Sequence, residues 1–169
     1  STQPSGASPT WASTSPVLRA SMAAPLDTSS TAPSTATITR SATLAIATGN
    51  SHDLDYRAIT NLGTVNWNVG YVRGGHGAVF TNATGATFND NVTSGYTFHN
   101  PFGGSFVFTN QGTYNRNATG HTSYFDVPFN NTGTVNILAG DLQFRAGGTL
   151  SSSGTIAAAS RSEERRVGK

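Results

Sequence analysis

The chain has no cysteine, so neither a disulfide nor a thiolate metal site enters its chemistry. Lysine and glutamate are missing from the first 160 of its 169 residues. Apolar residues never run for the roughly 18 positions a membrane-spanning helix needs, so no membrane insertion is expected. Helix formers are scarce beside Gly, Asn and Thr, and no helical periodicity of any length survives. Surplus charge is missing as well. The formal charge of +2 lies wholly in the closing "RSEERRVGK", where Arg161, Arg165, Arg166 and Lys169 face Glu163 and Glu164. Before it, six Arg balance six Asp. The basic footprint of a phosphate binder is therefore lacking, and no nucleic-acid partner is expected.

Those closing nine residues, 161–169, change residue usage abruptly and resemble the in-frame translation of a common sequencing adapter. They are read as a non-native tail to be set aside before fold reasoning. On that reading the natural C-terminus is missing. A start at Ser1 without Met is read as internal too, so the lack of a leader says nothing about export. Residues 1–35 carry Pro4, Pro9, Pro16, Pro25 and Pro33 among Ser, Thr and Ala. Such a stretch has too little apolar surface to offset its ordering entropy and is expected to be a disordered linker.

From Ile38 a cadence is present: "ITNLGTV" at 59, "FTNQGTY" at 108, "FNNTGTV" at 129, with weaker copies "LSSSGTI" at 150 and "FTNATGATF" at 80. The opening apolar residues are Ile38, Ile59, Phe80, Phe108, Phe129 and Leu150, at intervals of 21, 21, 28, 21 and 21. Six positions later come Leu44, Val65, Tyr114, Val135 and Ile156, with Phe88 two residues late. A fixed period in this range marks a stacked-repeat fold. Within each copy the alternation has a strand period, as in "TVNWNV". Short strands that repeat every 21 residues stack best as turns of one coil, like positions about 4.8 Å apart and paired in parallel. The expectation is an all-β, single-stranded parallel β-helix over residues 36–160. The six opening residues should form one interior column. Asn61, Asn82, Asn110 and Asn131 should form a structural ladder at a corner, each amide bonding the next. Gly63, Gly112, Gly133 and Gly154 should supply the following bend.

The cadence F-x-N-x-G-T-V, followed by further glycine-rich sequence, resembles the repeats of large secreted bacterial β-helix proteins. These are autotransporter passenger domains and filamentous-haemagglutinin-like adhesins. The resemblance covers residues 38–156 and implies a parallel β-helix in a secreted or surface-displayed protein.

Chemistry is thinly spread. His52, His76, His99 and His121 share no repeat position and read as exposed turn residues. "HDLD" at 52–55 is the densest set of cation ligands, but one cluster is weak, and neither a metal nor another cofactor is expected. "GGHGAV" at 74–79 has Val79 where a calcium-binding nonapeptide needs an oxygen ligand. Sequons begin at Asn82, Asn91, Asn117 and Asn130, as an Asn- and Thr-rich repeat produces by chance. A polysaccharide lyase or glycoside hydrolase is the enzyme alternative, and it needs clustered carboxylates. Only Asp53 and Asp55 lie close in sequence, so no catalytic residue is assigned. The seven surplus residues between Phe80 and Phe108 should project as a loop at 94–105, presenting Tyr96, Phe98, His99 and Phe102 to a ligand. The expected role is structural or adhesive. The expected partners are surface glycans, host or neighbour-cell proteins, and further copies met edge to edge.

Overall fold

The computed structural model describes residues 33–158, which hold seventeen strands and no helix. The strands come in threes. β1 (Ser34–Ile38), β2 (Thr43–Ile46) and β3 (His52–Asp53) form the first rung. β4 (Arg57–Asn61), β5 (Thr64–Trp67) and β6 (Val72–Arg73) form the second. β7 (Ala78–Asn82), β8 (Thr87–Asp90) and β9 (Thr97–His99) follow, then β10 (Phe106–Asn110), β11 (Thr113–Arg116) and β12 (Thr122–Phe125). β13 (Phe129–Asn131), β14 (Thr134–Ile137) and β15 (Asp141–Phe144) complete a fifth rung, and β16 (Gly148–Leu150) with β17 (Thr155–Ala158) begin a sixth. Every strand pairs in parallel with its counterpart one rung away, giving three sheets. The first sheet holds β1, β4, β7, β10, β13 and β16; the second β2, β5, β8, β11, β14 and β17; the third β3, β6, β9, β12 and β15. The described residues form a three-sided parallel β-helix.

Alternation decides the faces. Ile59, Phe80, Phe108 and Phe129 follow one another in register and point inward. Phe80 and Phe108 stack at 5.3 Å and 5° although 28 residues separate them, and Phe108 and Phe129 stack at 5.0 Å and 13°. Parallel columns come from the other two sheets: Phe88 on Tyr114 at 5.3 Å, and Phe98 on Phe125 at 4.9 Å. Between columns the rings meet edge to face, as Phe98 and Phe108 do at 86°. Both arrangements suit the ring quadrupole. Inside the first corner, Asn61 donates to Asn82, Asn82 to Asn110 and Asn110 to Asn131, each at 2.8 Å. The second N–H of these three amides reaches a backbone carbonyl, Thr87, Thr113 and Thr134 respectively, at 3.0 Å. The buried amides are thereby satisfied.

Three expectations are corrected. Ile38 and Leu150 leave the opening column: Ile38 pairs with Asn61 and Leu150 with Asn131, so they cover the two ends of the amide ladder. Ala36 and Gly148 take their places in the column. The reason is corner length. Corners after Asn61, Asn110 and Asn131 use two residues, whereas 39–42, 83–86 and 151–154 use four. The longer form closes a tight turn, with Ala42 N–H donating to Thr39 and Ala86 N–H to Ala83, both at 2.9 Å. Two extra residues leave every later side chain on its proper face. The seven surplus residues, likewise, do not form one bulge. Phe80 to Phe88 spans eight positions against six in the rung before, Phe88 to Phe98 ten against seven, and Phe98 to Phe108 ten against eight. The glycine that ends each short corner also has a different cause from a special φ. A side chain at Gly63, Gly112 or Gly133 would collide with the backbone of the rung below.

β1 starts at Ser34, two residues before the coil was expected to begin. Residues 1–32, the bulk of the expected linker, and the tail at 161–169 lie outside the described residues.

Candidate functional site

Among the described residues, the outer face of the third sheet brings together an ionisable column and several partly exposed rings. One outward column runs Asp53, Arg73 and His99 in strict register. It continues through Asp126, whose N–H donates to Phe98 O at 2.8 Å, and Arg145, whose N–H donates to Phe125 O at 2.8 Å. Each Arg grips the neighbouring Asp with two bonds: Arg73 to Asp53 at 2.6 and 2.7 Å, Arg145 to Asp126 at 2.6 and 2.8 Å. Fork-to-fork pairing fixes both guanidinium planes. Those planes lie over rings, Arg73 above Phe102 at 5.2 Å and Arg145 above Tyr124 at 4.1 Å.

His99 sits midway along this column. Burial lowers its imidazole below the usual range, and the Arg73 charge pushes the same way. Its contact with Thr97 and the Asp126 and Asp53 charges oppose that shift. Beside it, Tyr71 meets Tyr96 at 5.1 Å and His99 at 5.7 Å, both edge-on. At the next corner His76 and Tyr56 both adopt left-handed backbone, with φ of 49° and 58°, and their rings stack at 4.4 Å. Asp55 bonds the His76 ring at 2.8 Å.

The four residues expected on one loop separate into two groups. Tyr96, His99 and Phe102 are half-buried on this face. Phe98 is a correction: it is fully buried, because β9 passes through the middle of the expected loop and carries it between Val72 and Phe125. Burying a Phe is worth about 1.5–3 kcal/mol, which an exposed loop forgoes. His52, expected at the surface, also turns inward, below Val72, and its ring bonds Thr48 O at 3.1 Å. "HDLD" is thus dispersed: His52 and Leu54 are inside, Asp53 is on Arg73 and Asp55 on His76. Tyr71, Arg73, Tyr124, Asp126 and Arg145 were not anticipated. Strands as short as His52–Asp53 and Val72–Arg73 carry no alignable cadence, although an Asp or Arg alternating with an inward apolar residue was a usable signal.

A second unanticipated group lies inside. Trp67, Asp90, Arg116 and Ile137 occupy one inward column of the second sheet. Asp90 and Arg116 are both 0% exposed and pair at 3.1 Å. Tyr114 donates to the same carboxylate at 2.7 Å, and Arg116 also donates to Val92 O at 2.8 Å and His121 O at 2.7 Å. Burial pushes the Asp90 carboxyl upward against the pull of Arg116, and pushes the Tyr114 hydroxyl far above its ordinary range. Ser123 lies close enough to help hold the carboxylate charge, yet its hydroxyl makes no well-formed hydrogen bond. This network is sealed from ligands, and its role is structural.

No protein family, curated protein or solved structure matches the chain.

Proposed function

We propose that this is a structural, adhesive segment of a secreted or surface-displayed bacterial protein, and that the third sheet's outer face binds neutral glycans without catalysis. The observation that carries the reading is the fixed row of half-exposed rings, Tyr71, Tyr96 and Phe102, beside two Arg–Asp forks whose charges already cancel. Sugar rings present apolar faces that stack on aromatics and hydroxyl rims that bond to planar polar edges. A self-neutralised face gives no advantage to a charged polymer. Placement outside the cell is carried by the repeat resemblance alone. A lyase or hydrolase is less favoured, since Asp53, Asp55, Asp90 and Asp126 are each engaged by a basic side chain.

A glycan array probed with the intact chain tests this. Binding to uncharged oligosaccharides is expected, lost in Tyr96→Ala and kept in Thr60→Ala on the first sheet's exterior. Binding that survives Tyr96→Ala and Phe102→Ala, or binding to no glycan at all, contradicts it.

A further inference from the structure

The second sheet's outer face is built differently. Thr43, Thr64, Thr87, Thr113, Thr134 and Thr155 stand in one unbroken column, each the direct partner of the next. Two residues along, Asn66, Asn89, Asn115 and Asn136 form a second column, tied by amide bonds of 2.9, 3.0 and 2.9 Å. Beyond it Asn68, Asn91 and Asn117 form a third, with bonds of 2.9 Å. Across all six strands the outward positions hold only Thr, Asn and Ala. No ionisable group and no aromatic ring interrupts the array.

Its geometry follows from strand spacing: about 4.8 Å between rungs and about 6.7 Å between alternate residues. The points are also held still. Asn89, Asn91 and Asn115 each spend one N–H and one lone pair on their neighbours, while the end members Asn66 and Asn68 only accept and Asn117 and Asn136 only donate. These bonds fix the amide planes and leave the remaining N–H groups and lone pairs facing outward. Thr is β-branched, so its χ1 is stiff and its methyl and hydroxyl keep constant places. A flexible oligomer finds here no concavity, no stacking ring and no charge. The array suits an uncharged ligand that repeats in two dimensions and both donates and accepts hydrogen bonds everywhere. The ordered surface of ice has that chemistry, with rows of water oxygens at closely similar spacings. Holding a water costs up to about 2 kcal/mol of entropy, a cost that a lattice of already fixed waters does not incur.

We propose that the outer face of the second sheet is an ice-binding surface. The first sheet supplies an internal contrast. Its outward column Thr60, Thr81 and Thr109 is followed by Asn130, and the column beside it is Ala58, Val79 and Val107, so the polar grid is one-dimensional there.

The test uses the intact chain in slowly grown ice, measuring the fraction incorporated and the shape of single crystals. The expected result is enrichment in the ice and faceted growth. Thr113→Tyr and Thr87→Tyr, each confirmed folded by circular dichroism, should lose both effects, while Thr81→Tyr on the first sheet should keep them. If either second-sheet variant fails to fold, Thr134→Lys provides the same test one rung away. Exclusion of the wild-type chain from ice, like an inert protein of its size, overturns the proposal. So does equal loss from first-sheet and second-sheet substitutions, or co-sedimentation with crystalline polysaccharide in place of ice.

Discussion

Asn82 accepts from Asn61, donates to Asn110 and donates to the Thr113 carbonyl, all without contact with solvent. Removing it strands a donor on one side and two acceptors on the other. Each orphaned buried group costs about 1–3 kcal/mol, so Asn82→Ala should cost on the order of 3 kcal/mol by urea unfolding. A loss no larger than that of an exposed Asn68→Ala control would show the ladder to be ornamental. The buried Asp90–Arg116 pair behaves differently, because one stranded charge is worse than none. Arg116→Met should cost about 3–5 kcal/mol, and adding Asp90→Asn should restore part of it. Strict additivity of the two losses would contradict the charge argument. The ladder was legible in the sequence because Asn, Gly and Thr recur at one spacing. The ion pair was not, since Asp90 and Arg116 lie 26 residues apart across the irregular rung and only its register makes them partners.

Corners are where the rungs differ, and there the linear spacing misled. Counting six residues from each opening apolar position placed Ile38 and Leu150 with Phe108, but four-residue corners shift both by two places. At the corner between the first and second sheets, which uses two residues or four, pleat parity explains why the variation is harmless: an even insertion there keeps faces and an odd one inverts them. The longer connections into the third sheet take odd and even lengths alike, because their extra residues lie outside the strands. Inserting Ala-Thr after Gln111 should therefore be tolerated far better than inserting Ala alone, as read from melting temperature. Equal damage from both would remove parity as the rule. The third sheet carries a pH signature. His99 is lowered in the fold, mainly by burial, so folding favours the neutral ring. That contribution is complete above the unfolded imidazole value of about 6.5 and is lost as pH falls through the lowered folded value. Melting temperature should drop on acidification, and His99→Gln should narrow the drop between about pH 7 and about pH 5. An unchanged drop would mean that other groups dominate. The aromatic row was half legible. Tyr96, His99 and Phe102 stood out in an irregular stretch, but Asp53 and Arg73 come from two-residue strands, and Asp126 and Arg145 from positions just past β12 and β15.

The described residues form a stack whose last two rungs hold three of the four exposed large apolar side chains. Leu138, Leu150 and Ile156 are 57%, 57% and 47% exposed, and no described strand pairs beyond β15, β16 or β17. Apolar side chains exposed together favour association between copies. Self-association that grows with concentration is expected in sedimentation, and a monomer at high concentration would contradict it. Deleting Arg161–Lys169 should shift stability by no more than about 0.5 kcal/mol, the usual scale for surface changes. A larger loss would make the tail part of the fold. Every outward column, aromatic, charged or polar, depends on the rungs staying in register through the 28-residue turn from Phe80 to Phe108. A cysteine-free chain allows a clean check by engineered disulfides. Thr81 and Thr109 are direct partners on the first sheet's exterior, while Asn130 lies one rung further on. Bridging requires Cα atoms within about 7 Å, which adjacent rungs meet and alternate rungs, near 10 Å, do not. Under mild oxidation Thr81→Cys/Thr109→Cys should close a disulfide in the folded protein, and Thr81→Cys/Asn130→Cys should stay reduced. Failure of the first pair, or equal closure of the second, would contradict the stacked register.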